Sequence, residues 1–207
     1  MPSNLALRLE QGLEAMALTL DAKQQTLLLD YIALLEKWNK AYNLTAVRDP
    51  KDMLVQHIFD SLSVSQHVNA KSCMDVGAGA GLPGMVLAIA RPEQEWTLVD
   101  SNNKKTRFMQ QAVIELGLQN VEVVHARIES LRLKPEIIIS RAFASLKDLI
   151  DMCQSTINPE TILMAMKSQA VQHEIAELDS SFSCEVIELT YPEQDATRFL
   201  VKLSPAK

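Results

Sequence analysis

The sequence predicts an α/β chain: a mostly parallel, Rossmann-like sheet that ends in an antiparallel hairpin, preceded by a helical extension over residues 1–70. Three observations carry this. Apolar residues recur at helical spacing through the first seventy positions, and from about Ser72 short apolar runs alternate with helical stretches. The last two runs are joined by too few residues for a crossover helix, so they must pair antiparallel.

In chain order, Leu5, Leu9, Leu13 and Met16 define one amphipathic helix. Leu27, Tyr31, Leu34, Leu35, Trp38 and Tyr42 mark the inward face of a longer one that opens near Asp21. A third begins at Asp49-Pro50-Lys51, with Pro early in its first turn, and turns Met53, Leu54, Ile58 and Leu62 inward. Strands are predicted at Ser72 to Val76, Trp96 to Asp100, Val121 to His125, Glu136 to Ser140, Ile162 to Met166, Cys184 to Leu189 and Arg198 to Leu203. Helices are predicted at Leu82 to Arg91 and at Asn103 to Leu116, the latter stopped by Gly117. Residues 71–207 thus form the sheet-bearing domain, to which 1–70 are appended.

Composition sets the bounds on function. With 207 residues, 47% hydrophobic and 22% charged, the chain suits one globular domain with a small appendage. No apolar run approaches the ~20 residues of a membrane span. Met1-Pro2-Ser3-Asn4 does not open a secretory signal, so a cytoplasmic protein is expected. Cys73, Cys153 and Cys184 are scattered and odd in number, which fits reduced, buried thiols better than disulfides or zinc ligands. His57, His67, His125 and His173 are equally dispersed, and no metal is expected. The net charge of -6 argues mildly against a nucleic-acid partner. The excess is local, however: residues 174 to 195 hold seven acids and no Lys or Arg, which leaves room for a basic face elsewhere.

Ligands of open α/β sheets bind beyond the carboxyl ends of the strands. The first strand ends in Asp75-Val76-Gly77-Ala78-Gly79-Ala80-Gly81, followed by Leu82-Pro83-Gly84. Glycines there let the backbone turn sharply and approach a ligand that side chains would exclude. Two guests compete, a dinucleotide and S-adenosylmethionine. Asp100, closing the second strand about 20 residues on, suits the ribose of either. Two details favour the methyl donor. Asp75 puts a carboxylate next to the loop, where it would attract an amino group and repel a pyrophosphate. The glycines also run Gly77-x-Gly79-x-Gly81, so the last glycine of a G-x-G-x-x-G pattern is replaced by Leu82.

Later strand ends add compatible parts. Ala126-Arg127-Ile128-Glu129 can edge an adenine, or be a solvated turn. Ser140-Arg141-Ala142-Phe143 stands where the transferred methyl group is expected, although Arg141 could instead be a surface salt bridge. No Asn-Pro-Pro-aromatic motif and no Pro-Cys nucleophile follow, which disfavours adenine amino methylation and cysteine-assisted attack on a pyrimidine. An acceptor with a free lone pair, such as a purine N7, needs no base and only correct positioning.

Several ordered segments are similar to one family, the bacterial 16S ribosomal RNA guanine-N7 methyltransferases, also called glucose-inhibited division protein B. They are residues 34 to 45 (Leu-Leu-Glu-Lys-Trp-Asn-Lys-Ala-Tyr-Asn-Leu-Thr), Val55 to Ser61, Asp75 to Gly84, Asp100-Ser101 and Ser140 to Leu146, with a weaker echo at Ala165 to Gln169. The resemblance implies a class I S-adenosylmethionine-dependent methyltransferase fold with an N-terminal helical extension, acting on a guanine in the decoding region of 16S ribosomal RNA or the small ribosomal subunit. It places donor contacts on Gly77, Leu82, Ile128, Glu129 and Arg141. Asp75, Gly79 and Asp100 join them from the loop and ribose arguments. Ala78 and Ala80 depart from the family's commoner Thr and Pro. Charge and strand-end position nominate Lys40, Asn43, Arg48, Lys104, Lys105, Arg107, Lys167 and Arg198 for RNA contact. Phe143 is the expected stacking platform and, with Arg141, the expected catalytic pair. A monomer is expected.

Overall fold

A computed structural model describes residues 4–141, 145–168, 171–178 and 180–206. Two helices open the chain, α1 (Asn4–Ala15) and α2 (Ala22–Tyr42). Asp21 and Gln24 form a reciprocal capping box at the start of α2, satisfying two backbone donors, and Asn43 ends it in the left-handed conformation. The third predicted helix is a composite: α3 (Pro50–Met53) widens into a π-helical stretch over Leu54–Phe59 and tightens again as α4 (Asp60–Leu62). Single π turns of this kind gather at functional sites.

Seven strands follow: β1 (Ser72–Val76), β2 (Glu95–Asp100), β3 (Val121–His125), β4 (Ile137–Arg141), β5 (Ile162–Lys167), β6 (Phe182–Leu189) and β7 (Arg198–Pro205). The helices between them are α5 (Gly84–Ala90), α6 (Asn103–Leu116), α7 (Leu146–Cys153) and α8 (Gln172–Ala176). The sheet order is β3-β2-β1-β4-β5-β7-β6. Six strands run in one direction, and β7 runs antiparallel between β5 and β6, so the hairpin expected from the short connection inserts its second strand into the sheet. Since β7 is reversed, its first residue, Arg198, lies at the same edge as the carboxyl ends of β4 and β5.

Alternation along the strands divides the core. Cys73, Trp96, Leu98, Ile137 and Ile139 face α5, α6 and the N-terminal helices, whereas Met74, Val76, Ile138 and Leu163 face α7. The N-terminal helices are integral to the first layer, since Leu9, Leu28, Leu35 and Phe59 join the same apolar cluster as Leu87 and Phe108. Tyr31 donates its hydroxyl to the Ala80 carbonyl, bracing the glycine loop from α2. Among the described residues no helix is long and apolar enough to cross a membrane.

Two sequence expectations are corrected here. Cys184 is exposed, unlike Cys73 and Cys153, because it lies on the edge strand β6. Tyr42 continues the apolar period of α2 but is 44% exposed, because it is the last residue of the helix and stacks on Trp38 of the turn before.

Candidate functional site

The glycine loop leaves β1 through three residues with positive φ, Gly77 at 69°, Gly79 at 61° and Gly81 at 88°, a region that L side chains rarely adopt. The Gly77 and Ala78 amides both donate to the Val99 carbonyl at 2.9 and 3.1 Å, fastening the loop to β2. Asp100, at the end of β2, accepts from the Gly79 amide (2.9 Å) with one oxygen and from the Asn102 amide (2.8 Å) with the other. A single carboxylate thus fixes the loop and the start of α6.

Beyond these strand ends opens a cleft of about 320 Å³, lined among others by Gly77, Asp100, Ser101, Ile128, Glu129 and Met152. Ile128 is buried in its wall and Glu129 exposed at its rim, both on the single 3-10 turn Ile128–Ser130 after β3. His125 contacts the Ser101 carbonyl through Nε2 at 3.0 Å and ties the rim of β3 to that of β2.

Asp75 lies behind the loop, fully buried, where Oδ2 accepts from the Gly84 amide (2.7 Å) at the start of α5 and Oδ1 has no hydrogen-bond partner. Burial pushes its carboxyl up to about 7, against the pull of the Gly84 hydrogen bond and of Arg141. Gly84 is glycine because a Cβ there would lie 2.3 Å from Leu98 and 2.8 Å from Asp75. Leu82 is buried beside this turn. Of the predicted donor residues, Gly77, Asp100, Ile128 and Glu129 converge on the cleft, Gly79 adjoins it through Asp100, and Asp75 and Leu82 support it from behind.

Arg141, the last residue of β4, donates through Nη1 to the Asp60 carboxylate (3.0 Å) and to the Gln56 carbonyl (3.0 Å). It is therefore held inward by the π-helical stretch and α4, not spent on a surface pair. Arg198 approaches the other oxygen of Asp60 through Nε at 3.4 Å and also reaches Asp195. Asp60 is 3% exposed, so one buried carboxylate anchors two arginines from different strands. Burial, and then the neighbouring Asp60 charge, push the Tyr191 phenol beside it up to about 12. Burial, reinforced by Arg141, pulls the His57 imidazole down to about 4, and its Nε2 shares a hydrogen bond with the Thr45 hydroxyl at 2.9 Å. At the end of β5, Lys167 pairs with Glu174 at 2.9 Å.

The remaining predicted RNA contacts lie along α2, the segment that follows it, and α6. Asn43 accepts from Arg48 (2.7 Å), whose guanidinium also caps the Asn39 carbonyl (3.1 Å), and Lys40 pairs with Glu36 at 2.9 Å one turn back. Lys104 and Arg107 are exposed on α6, and the Lys105 ammonium sits 3.9 Å from Asp100. The structure therefore divides the eight nominated residues into six along α2 and α6, and two, Lys167 and Arg198, at the carboxyl edge near Arg141. Phe143 lies outside the described residues. Sequence reasoning missed Asp60 as the anchor of this edge, although it sits inside the Val55 to Ser61 segment.

This sheet order, with a reversed β7 and a glycine loop facing an acidic β2 end, defines a class I S-adenosylmethionine-dependent methyltransferase. Solved structures share the fold: a SAM-dependent methyltransferase from Aquifex aeolicus aligns with a TM-score of 0.55 over 81% of this chain and 97% of that one at 17% identity. A ribosomal protein L11 methylase from Lactobacillus delbrueckii subsp. bulgaricus aligns at 0.54 over 72% and 77% at 16% identity. The family model for rRNA small subunit methyltransferase G, GidB, matches residues 24–201, and the chain belongs to that family. Proteins named Ribosomal RNA small subunit methyltransferase G are 49% identical in Alteromonas mediterranea, over 94% of both chains, and 47% identical in Hydrogenovibrio crunogenus, over 95% of this chain and 92% of that one.

Proposed function

We propose that this protein transfers the methyl group of S-adenosylmethionine to N7 of a guanine in the decoding region of 16S ribosomal RNA, acting as a cytoplasmic monomer. Family membership supports the RNA substrate. The observation that carries the chemistry is the neighbouring placement of the donor cleft at the ends of β1, β2 and β3 and the anchored Arg141 at the end of β4.

The residues fit the donor. Gly77 and Gly79 offer close backbone approach, Asp100 suits the ribose, Ile128 and Glu129 suit the edge of the adenine, and buried Asp75, whose Oδ1 has no hydrogen-bond partner, holds the turn behind the loop through the Gly84 amide. The donor, when bound, supplies a methyl carbon activated by a sulfonium. In the transfer the guanine N7 lone pair forms the new bond and the sulfur keeps the electrons of the old one. No proton leaves, and the positive charge passes from sulfur to the purine. The chain's task is to hold N7 in line at near-attack distance. Arg141, fixed by Asp60 and the Gln56 carbonyl, is placed to grip a phosphate or the donor's carboxylate rather than the cationic product. Residues 1–70 act as an RNA-facing extension of the domain formed by 71–207.

Incubation with methyl-labelled donor and unmodified small-subunit RNA tests the proposal. Label on guanine N7 is expected. Label on a small metabolite with none on RNA, beside an active control enzyme, would overturn it.

A further inference from the structure

Tyr42 is the one exposed aromatic side chain among the described residues, and its ring is not loose. It stacks on Trp38 one turn earlier, with centroids 5.1 Å apart and planes 28° apart, and Trp38 in turn packs edge-on against buried Phe108 of α6 at 5.7 Å. An aromatic face held by a second ring has already lost its rotational freedom, which suits a stacking surface.

Its surroundings are selectively positive. Residues 37–48 carry Lys37, Lys40 and Arg48, and residues 101–114 carry Lys104, Lys105 and Arg107, with no acid inside either stretch, although Lys40 pairs with Glu36 and Lys105 approaches Asp100 at their borders. The two segments meet in space. Gln24 and Leu27 lie beside Leu116 and Leu118, while Trp38 meets Phe108, so α2 and α6 run antiparallel. Moving four residues from Trp38 to Tyr42 and four from Phe108 to Lys104 covers about 6 Å along each helix, so Tyr42 lies toward the same end of the pair as Lys104 and Lys105. Lys105 adjoins Asp100, so this surface borders the donor cleft.

We infer that the Tyr42–Trp38 pair is a nucleobase-stacking platform, on which an unpaired base flanking the target guanine rests while the lysines and arginines of α2 and α6 hold the adjoining phosphates. This rests on the ribosomal RNA reading and adds the subsite where the strand is gripped. Single strands are held in this way by aromatic faces set in basic grooves.

The test uses the full-length protein, a short guanine-containing single-stranded RNA, and an abasic oligomer of the same length and charge. Trp96 is 1% exposed, so quenching of tryptophan fluorescence reports Trp38. The base-bearing RNA should quench and the abasic one should not. Tyr42→Ala should weaken binding of the base-bearing RNA about tenfold, Tyr42→Phe should restore it, and neither should change affinity for S-adenosylhomocysteine, which also shows that the variant is folded. Equal affinity of wild type and Tyr42→Ala for the base-bearing RNA, with methylation of that RNA intact, would overturn the platform alone. Failure of the wild-type protein to bind either oligomer would overturn the platform and the RNA reading together. Equal quenching by anionic vesicles would reassign the surface to a membrane and also overturn it.

Discussion

Two groups of cations border the strand-end cleft, one at the ends of β4, β5 and β7 and one along α2 and α6, and the fold buries the pairing of the first more deeply than that of the second. On the β4–β5–β7 side, Arg141, Arg198 and Lys167 each meet a carboxylate, Asp60 or Glu174, within 3.4 Å. On the α2–α6 side, Lys40 pairs with Glu36 and Arg48 is held by Asn39 and Asn43, while Lys104 and Arg107 are exposed on α6. A cation paired in a buried site is fixed in direction but contributes little field at a distance, whereas an exposed one attracts phosphate within a Debye length. Equal formal charge thus has two settings: Arg141, Arg198 and Lys167 are fixed in direction, whereas Lys104 and Arg107 are open to solvent, and on the proposed function the first would position and the second gather. The acidic stretch from 174 to 195 follows the same logic, because Glu174, Glu185, Glu193 and Asp195 pair with Lys167, Lys202, Arg8 and Arg198.

The strongest way to break the comparison is at Asp60. Asp60→Ala leaves Arg141 and Arg198 facing a site without its counter-charge, and should cost ~3–5 kcal/mol in denaturant unfolding. A loss under about 1 kcal/mol would mean the positioning flank is not built on this carboxylate. Behind the loop, Gly84→Ala must push Leu98 and Asp75 aside and should cost ~1–3 kcal/mol, with donor affinity falling in parallel.

The field of Arg141 reaches two buried groups whose pH dependences oppose each other. Asp75 has a raised folded pKa, so its contribution is complete below about pH 4 and is lost as pH rises toward about 7. His57 has a lowered one, so its contribution is complete above about 6.5 and is lost as pH falls toward about 4. In the wild type the two slopes offset each other between these limits. Asp75→Asn should expose a stability that falls on acidification, and His57→Gln one that rises, each with a slope of at most ~1.4 kcal/mol per pH unit. Parallel profiles for both variants and the wild type would remove the opposition. The smallest effect is expected on the gathering flank, where Lys40→Ala deletes an exposed pair with Glu36 and should change stability by less than ~0.5 kcal/mol.

Much of the frame was legible because its signals are local. β1, β3 and α6 begin and end where apolar runs meet glycine or an Asn cap, and the structure keeps those bounds. The cleft was legible for the same reason, since Gly77, Ile128 and Glu129 follow strand ends and Asp100 closes one. The Asp60 clamp left no such trace. It joins residues 81 positions apart, and a buried Asp in an apolar helix reads locally as one more polar interruption. Helical period placed Tyr42 inward because period records the phase of a side chain and not that it is the last residue of its helix. The helices α7 and α8, of 8 and 5 residues, are too short for periodicity to separate from loop.

The division of labour between the two flanks is tested most directly by the salt dependence of RNA affinity. Plotted as log affinity against log salt concentration, binding by the Arg48→Ala/Lys104→Ala/Arg107→Ala variant should lose about two units of slope, since each phosphate contact on a single strand contributes ~0.7. Its affinity for S-adenosylhomocysteine should match the wild type, while its unfolding should shift only by the loss of the Arg48 hydrogen bonds to Asn39 and Asn43, about 1–2 kcal/mol. A slope equal to that of the wild type would contradict the assignment of these cations to the RNA.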